Sequence, residues 1–234
     1  MSYKIPSAEE MLEAGVHFGH PVSKWHPKAE PYIYTAKNGV HIINLTKTTE
    51  ALEKILKRVS DVVAMGEEIM FVSTKKQAKE ITKKAAERCT MPYVTERWLG
   101  GTFTNFGTLI KSIKKLNKLE ADKESGEFAK YTKKEVVVLS RLIEKLNRNL
   151  SGIKNMKRLP AMVFITDLKM QETTILEAKM KKIPIIGICD TNVNPELVDY
   201  VIPANDDAVK SLDMIVNLVA DAVLDGKSKI KKTV

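Results

Sequence analysis

The chain has 234 residues, 44% of them hydrophobic, and a formal net charge of +9 at pH 7. This length can bury a normal core and fits one domain with an appendage. No apolar run approaches the ~20 residues of a membrane-spanning helix, and the N-terminal residues lack the pattern of a secretory signal, so we expect a cytoplasmic protein.

The first 45 residues predict a short helix and a β-hairpin. Residues 7–10 (Ser-Ala-Glu-Glu) form a capping-box pattern that opens the helix. A loop rich in aromatic residues, His and Pro is expected over residues 17–31. Because Asn-Gly tolerates the positive φ of a tight turn, Lys37-Asn38-Gly39 predicts a turn between strands at 32–34 and 40–43.

Helix and strand patterns then alternate. Apolar residues at helical spacing predict a helix from Thr48 to Met65. Continuous apolar runs predict five strands, at residues 69–72, 91–94, 161–165, 183–189 and 200–202. Further helices are predicted at residues 75–88, 172–181 and 206–225, and Gly226 should end the last of them.

This alternation determines the predicted fold class. Apolar strands separated by helices are typical of a parallel sheet that is covered on both faces. We therefore predict an α/β protein with a flavodoxin-like (Rossmann-like), doubly wound parallel sheet of five strands in the order 2-1-3-4-5.

An insertion between the second and third of these strands carries most of the positive charge. Apolar residues three and four apart predict two helices, joined by a polar linker at 121–134, that fold back as an antiparallel coiled-coil hairpin. Residues 106–158 contain 14 Lys or Arg and 6 Asp or Glu, a net +8. Such localised charge predicts a surface for a polyanion. We expect this narrow two-helix arm to project from the domain and to be stabilised by a partner.

The remaining charge is unevenly distributed. Residues 159–226 have a net charge of −6, so one end of the molecule should repel a phosphate backbone that the rest attracts. The predicted organisation is an α/β domain at 1–105 and 155–226 (with the N-terminal helix and hairpin at 1–45), the coiled-coil arm at 106–154, and a flexible basic tail at 227–234.

The polar ends of the strands could bind a ligand. Thr74-Lys75-Lys76 opens a helix after an apolar strand, where free N–H groups can hold a phosphate, but an ordinary helix start with solvated lysines has the same pattern. Asp167, Asp190 and Asp206-Asp207 could hold Mg²⁺ or act as acid and base, yet such residues are also common in loops and helix caps. No phosphate-loop motif is present.

Metal and cofactor sites are weakly indicated. His17-x-x-His20 lies near His26 and His41, but the chain has no CxxC motif. Cys89 and Cys189 are interpreted as buried free thiols. We expect no cofactor, no metal, no small-molecule substrate and no enzymatic activity. The alternative is a phosphate- or nucleotide-binding Rossmann-like enzyme.

RNA binding explains the basic and aromatic residues better than a metal site does. Trp and His interleaved with Lys can stack on bases while they neutralise phosphates, although a packed aromatic loop would look the same. The segment from Arg97 to Asn105 is interpreted as a rigid joint between the sheet and the arm, with Arg97 as a cation at the base of the arm. The candidate RNA-binding residues are His17, His20, Lys24, Trp25, Lys28, Lys75, Lys76, Arg97, Trp98, Lys111, Lys114, Lys115, Lys118, Arg141, Lys145 and Arg148.

Several ordered motifs resemble one known family. They are Leu12-Glu-Ala-Gly-Val-His-Phe-Gly-His20, Trp25-His-Pro-Lys28, Asn38-Gly-Val-His-Ile-Ile43, Phe71-Val-Ser-Thr-Lys-Lys-Gln-Ala78, Arg97-Trp-Leu-Gly-Gly-Thr102, Asp190-Thr-Asn192 and Ile202-Pro-Ala-Asn-Asp-Asp-Ala208. Together they are similar to the bacterial small-subunit ribosomal protein S2 family over residues 5–225. The chain departs from the usual family pattern at Lys37, Asn44 and Ser73.

The resemblance implies a function. It implies a flavodoxin-like domain with a coiled-coil hairpin, and a non-catalytic constituent of the small (30S) ribosomal subunit, active in translation. The implied partners are 16S ribosomal RNA and neighbouring ribosomal proteins, among them the multi-OB-fold protein that recruits messenger RNA.

Overall fold

The computed structural model describes residues 3–233, with side chains described as far as Ile230. The helices are α1 (Ala8–Glu13), α2 (Leu45–Ala64), α3 (Lys76–Arg88), α4 (Phe106–Glu124), α5 (Lys133–Leu150), α6 (Glu172–Met180) and α7 (Val209–Thr233). The strands are β1 (Phe18–Pro21), β2 (Ile33–Lys37), β3 (Val40–Ile43), β4 (Ile69–Val72), β5 (Tyr93–Val94), β6 (Met162–Ile165), β7 (Ile185–Cys189) and β8 (Tyr200–Pro203). Within residues 3–233, no helix combines the length and apolar character needed to cross a membrane.

The main sheet is parallel and has the predicted topology. Its strand order is β5-β4-β6-β7-β8, which confirms the predicted order 2-1-3-4-5. Every residue of β4, β6 and β7 is buried, as expected where helices cover both faces. Phe71 and Phe164 are register partners on β4 and β6, and their rings meet edge to face at 5.6 Å.

The two faces of the sheet have different covers. Side chains alternate along β4, so Phe71 packs under α2, α3 and α7 while Val72 packs on the opposite side. That opposite side is covered by α6 and by apolar residues of the arm, such as Leu109 and Ile113. The core of the arm is thus continuous with the core of the domain, which places the arm beside one face of the sheet.

The N-terminal segment forms a second, antiparallel sheet in the order β1-β3-β2. The predicted hairpin is confirmed, with Asn38 and Gly39 at φ +52° and +76° in its turn. The expectation of a loop throughout residues 17–31 is wrong, because Phe18–Pro21 pairs with β3. The pattern Phe-Gly-His-Pro has no strand periodicity, so this pairing is decided by the neighbouring strand.

The last helix is longer than predicted. Gly226 does not end it: α7 continues to Thr233, so residues 227–233 of the expected flexible tail are helical, and Val234 lies outside the described residues. A Cβ at Gly226 would lie 2.5 Å from the Ser60 carbonyl oxygen and 2.8 Å from Cβ of Val63. This glycine therefore allows α7 to pack closely on α2 and does not terminate the helix.

Candidate nucleic-acid interface

The arm is an antiparallel pair of helices held by an apolar seam. Leu109, Ile113 and Leu116 of α4 and Ile143 and Leu150 of α5 are all buried, as the spacing predicts. The linker contains more structure than expected, because α4 runs to Glu124 and a short 3₁₀ turn follows at Glu127–Lys130. Buried Phe128, in this turn, closes the end of the seam, and Gly126 (φ +80°) permits the reversal of the chain.

Polar contacts also stabilise the arm. Thr132 and Glu135 form a capping box at the start of α5, with reciprocal side chain–backbone hydrogen bonds. Across the seam, Asn147 Nδ2 donates to Glu120 Oε1 at 2.7 Å, and the second oxygen of Glu120 pairs with Lys154. The hydrogen bond from Lys154, followed by that from Asn147, lowers the pKa of Glu120. The arm therefore has fixed internal geometry.

The predicted cations of the arm are on its exposed surface. Seven cations were predicted on α4 and α5. Among the described residues, only Arg148 of these seven has an ion-pair partner, and its Nε is 3.2 Å from Glu96 Oε2. The other six have no carboxylate within ion-pair distance in this part of the chain: Lys111, Lys114, Lys115, Lys118, Arg141 and Lys145. Exposed cations without partners are suited to phosphate groups.

A basic cleft of about 690 Å³ opens where the arm leaves the domain. It is lined by Glu96, Arg97, Arg141, Glu144, Lys145, Arg148 and Asn149. Glu96 pairs with Lys79 of α3 as well as with Arg148, and these contacts, the hydrogen bond from Lys79 first, lower the pKa of its carboxyl group. Arg97 and the α5 cations were predicted separately; the fold brings them into one cleft.

The joint at residues 97–105 is anchored by a carboxylate that the sequence analysis did not single out. Glu177 of α6 is 5% exposed and accepts five hydrogen bonds from this segment. Trp98 is a predicted RNA contact, but its ring is buried against Phe103 and its Nε1 donates to Glu177. Its side chain therefore serves the joint, whereas the neighbouring Arg97 is exposed. In the sequence, Glu177 is one of several charged residues of α6, and no local pattern distinguishes it.

The aromatic loop presents part of the predicted set to solvent. Lys24 is exposed, and Trp25 is 36% exposed with its ring 5.3 Å from that of His41. Lys28 is exposed but pairs with Glu196 at 2.7 Å. His17 is half-buried against Phe18, and burial lowers its pKa, so the imidazole is neutral at pH 7. Trp25 and Lys24 are the members best placed to reach a ligand.

Lys75 lies among the carboxylates at the carboxyl ends of the strands. Its Nζ is 2.7 Å from Asp207, 3.0 Å from Asp206 and 3.7 Å from Asp167. Burial opposes its positive charge, but hydrogen bonds to Asp207 and the charge of Asp206 outweigh that effect and raise the pKa of Lys75. The structure therefore places this predicted RNA contact inside the protein as a counterion, while Lys76 is exposed.

His20 completes the same group. Its Nδ1 is 3.1 Å from Asp190 and its Nε2 is 3.3 Å from Asp207, and the close contact with the Asp190 carboxylate raises the pKa of the imidazole. Burial, followed by the charge of Asp190, raises the pKa of Asp206 to about 6. His20, Asp190 and Asp206 offer ligand atoms within 4.8 Å of one another, a geometry that could hold a cation. These carboxylates would repel a phosphate at the start of α3.

The two cysteines are buried free thiols, as predicted. Burial raises the pKa of Cys89 to about 11 and raises that of Cys189 still further. Neither thiol is therefore activated as a nucleophile at neutral pH.

Comparison with known proteins agrees with this geometry. The family model "Ribosomal protein S2" matches residues 11–226. The chain is 51% identical over 220 residues to the small ribosomal subunit protein uS2 of Chlorobaculum tepidum, a match that covers 94% of this chain and 88% of the relative. It is 45% identical over 223 residues to the uS2 protein of Chloroflexus aggregans (95% and 94% covered) and 48% identical over 226 residues to that of Flavobacterium psychrophilum (97% and 85% covered). On these matches, which extend over nearly its whole length, the chain belongs to the ribosomal protein S2 family.

Proposed function

We propose that the protein is a structural, non-catalytic constituent of the small ribosomal subunit in the bacterial cytoplasm, and that its arm binds 16S ribosomal RNA. The observation that carries the proposal is the set of exposed cations on α4 and α5 that have no carboxylate partner among the described residues. An RNA backbone is a dense, regular array of phosphates, and neutralising it releases counterions.

The fold gives this surface a direction. Positively charged side chains project from both arm helices, and Arg97 adds another at the base of the arm. Residues 159–226, in contrast, have a net charge of −6. Phosphate contacts fix register and orientation without reading sequence. Trp25 and Lys24, at the exposed aromatic loop, would add stacking and neutralisation on a single-stranded or irregular part of the RNA.

Protein neighbours in the subunit are part of the proposal. The family relationship supports contacts with other small-subunit proteins, and by resemblance these include the multi-OB-fold protein that recruits messenger RNA. The acidic part of the chain is suited to such contacts, because it would not compete for phosphates.

The rival function, a phosphate- or nucleotide-binding enzyme, is not favoured by the site it would need. The start of α3 is surrounded by Asp167, Asp206 and Asp207, with Lys75 already paired to them. An anion arriving there would have to displace these ion pairs. The rival also leaves the basic arm without a role.

The proposal is tested by co-sedimentation of the tagged full-length protein with ribosomal subunits from a bacterial lysate. The test variant reverses four arm charges, Lys111, Lys114, Lys115 and Lys118 to Glu. Its matched control reverses four exposed lysines of α2 and α3: Lys54, Lys57, Lys83 and Lys84 to Glu. We expect wild type and control to migrate with the small subunit and the arm variant to remain at the top of the gradient. Wild-type protein that stays at the top, free of the small subunit, would refute the proposed function.

A further inference from the structure

The joint between sheet and arm depends on one buried carboxylate. Oε1 of Glu177 accepts hydrogen bonds from Trp98 Nε1 (3.1 Å) and from the Gly101 backbone N–H (2.8 Å). Oε2 accepts from the backbone N–H groups of Phe103 (2.9 Å) and Thr104 (3.0 Å), and from the Thr104 hydroxyl (3.1 Å). A single side chain therefore satisfies five donors from a segment that lies 73 to 79 residues away in the sequence.

The charge of Glu177 is balanced by neutral donors. No described cation forms an ion pair with it, and all of its partners are N–H or O–H groups. Burial would raise the pKa of this carboxyl group, but hydrogen bonds from Thr104 and Gly101, then from Trp98 and Phe103, outweigh burial and lower the pKa. The group is ionised at neutral pH, the state in which both oxygens accept hydrogen bonds.

The segment it holds lies between the first helix of the arm and Arg97 of the basic cleft. Thr104 lies two residues before Phe106, where α4 begins. Arg97, immediately before Trp98, lines the basic cleft together with Arg141 and Lys145 of α5. Any rotation of residues 98–104 would change both the direction of the arm and the position of Arg97 relative to the α5 cations.

We propose that Glu177 is a positioning residue for RNA binding: it fixes the angle of the arm and the spacing of the cleft cations, without contacting RNA. This inference rests on the proposed function. If the arm samples several directions, only some of the molecules have the direction that binds RNA. The apparent affinity is then reduced in proportion to that competent fraction.

The first variant is Glu177→Gln, which keeps the size of the side chain. Gln has one acceptor oxygen and turns a donor amide towards the remaining N–H groups, so two or three of the five donors lose their acceptor. The matched control is Glu172→Gln on the exposed side of the same helix, which makes the same charge change. A second variant, Trp98→Phe with Thr104→Val, removes two donors and leaves Glu177 in place; it serves if Glu177→Gln does not fold.

Arm direction is measured in the full chain by distance measurements between spin labels. The labels are attached at Lys123→Cys, near the arm tip, and Lys83→Cys on α3, both exposed; the native cysteines are buried. We expect narrow distance distributions for wild type and Glu172→Gln, and a broadened one for Glu177→Gln. The double donor variant should lie between them. A Glu177→Gln distribution as narrow as that of the control would overturn the inference.

RNA affinity is measured with a 16S ribosomal RNA transcript. We expect Glu177→Gln to bind about tenfold more weakly than Glu172→Gln, corresponding to ~10% competent arm directions, with an unchanged salt dependence because no phosphate contact is removed. Simple electrostatics predicts the opposite sign, since removing a negative charge should strengthen binding. Equal affinities would overturn the role in binding. If wild type itself does not bind the transcript, the proposed function fails, while the label distances still decide whether Glu177 fixes the arm.

Discussion

At the scale of single residues, His20 links the N-terminal sheet to the strand ends. Its ring contacts Asp190 and Asp207, and its backbone N–H donates to Thr191 Oγ1 at 2.9 Å. Gly19 makes the approach possible, because a Cβ there would lie 2.7 Å from Cγ2 of Thr191. A protonated imidazole neutralises part of the carboxylate cluster, so the sheet is attached partly by a titratable contact.

This contact predicts a pH dependence of stability. The 3.1 Å contact with the Asp190 carboxylate raises the pKa of His20 above 6.5 in the folded protein. The stabilisation is therefore fully present below the unfolded pKa and is lost as pH rises through the folded pKa. We expect the difference in unfolding free energy between wild type and His20→Gln to be largest below pH ~6 and to shrink towards pH ~9. Urea titrations across this range measure it, and a difference that grows with pH would contradict the assignment.

At the scale of helices and strands, local patterns predicted most of the elements. The helical period gave α2, α4 and α5, and continuous apolar runs gave β4, β6 and β7, because each pattern reports a face that must be buried. The chain also carries its own caps: the Asn44 side chain accepts a hydrogen bond from the Thr46 N–H at the start of α2. The patterns failed at β1 and at the end of α7, where the outcome depends on a neighbouring element.

The pairing of α7 with α2 predicts opposite effects for two glycine substitutions. Gly226→Ala would place a methyl group against the Ser60 carbonyl and Val63, so we expect a loss of ~1–3 kcal/mol in unfolding free energy, although Ala favours a helix. Gly107→Ala in α4 has open space around its Cβ and should stabilise by ~0.5–1 kcal/mol. Denaturant unfolding measures both, and equal effects would show that α7 does not depend on this close approach.

At the scale of the whole molecule, the charge distribution predicts a steep salt dependence of RNA binding. Each phosphate contact contributes ~0.7–0.9 to the slope of log affinity against log salt. Replacing Arg141 and Lys145 together with Ala should therefore reduce the slope by ~1.4–1.8. The control replaces two exposed lysines, Lys179 on α6 and Lys181 directly after it, and should leave the slope unchanged. Filter binding at several salt concentrations provides the measurement. Equal slopes for wild type and the Arg141/Lys145 variant would show that the cleft is not part of the RNA interface.

By itself, the sequence determined the α/β class, the order of the five parallel strands, the arm with its apolar seam and basic surface, and the resemblance to a family. These properties depend on periodicity, composition and motifs, which are read from neighbouring residues. Only the tertiary structure decided which polar groups meet. It buried Trp98 against Glu177, enclosed Lys75 among carboxylates and brought Arg97 to the α5 cations. Such contacts join residues that are distant in the chain, and their strength depends on burial and distance, which no local pattern records.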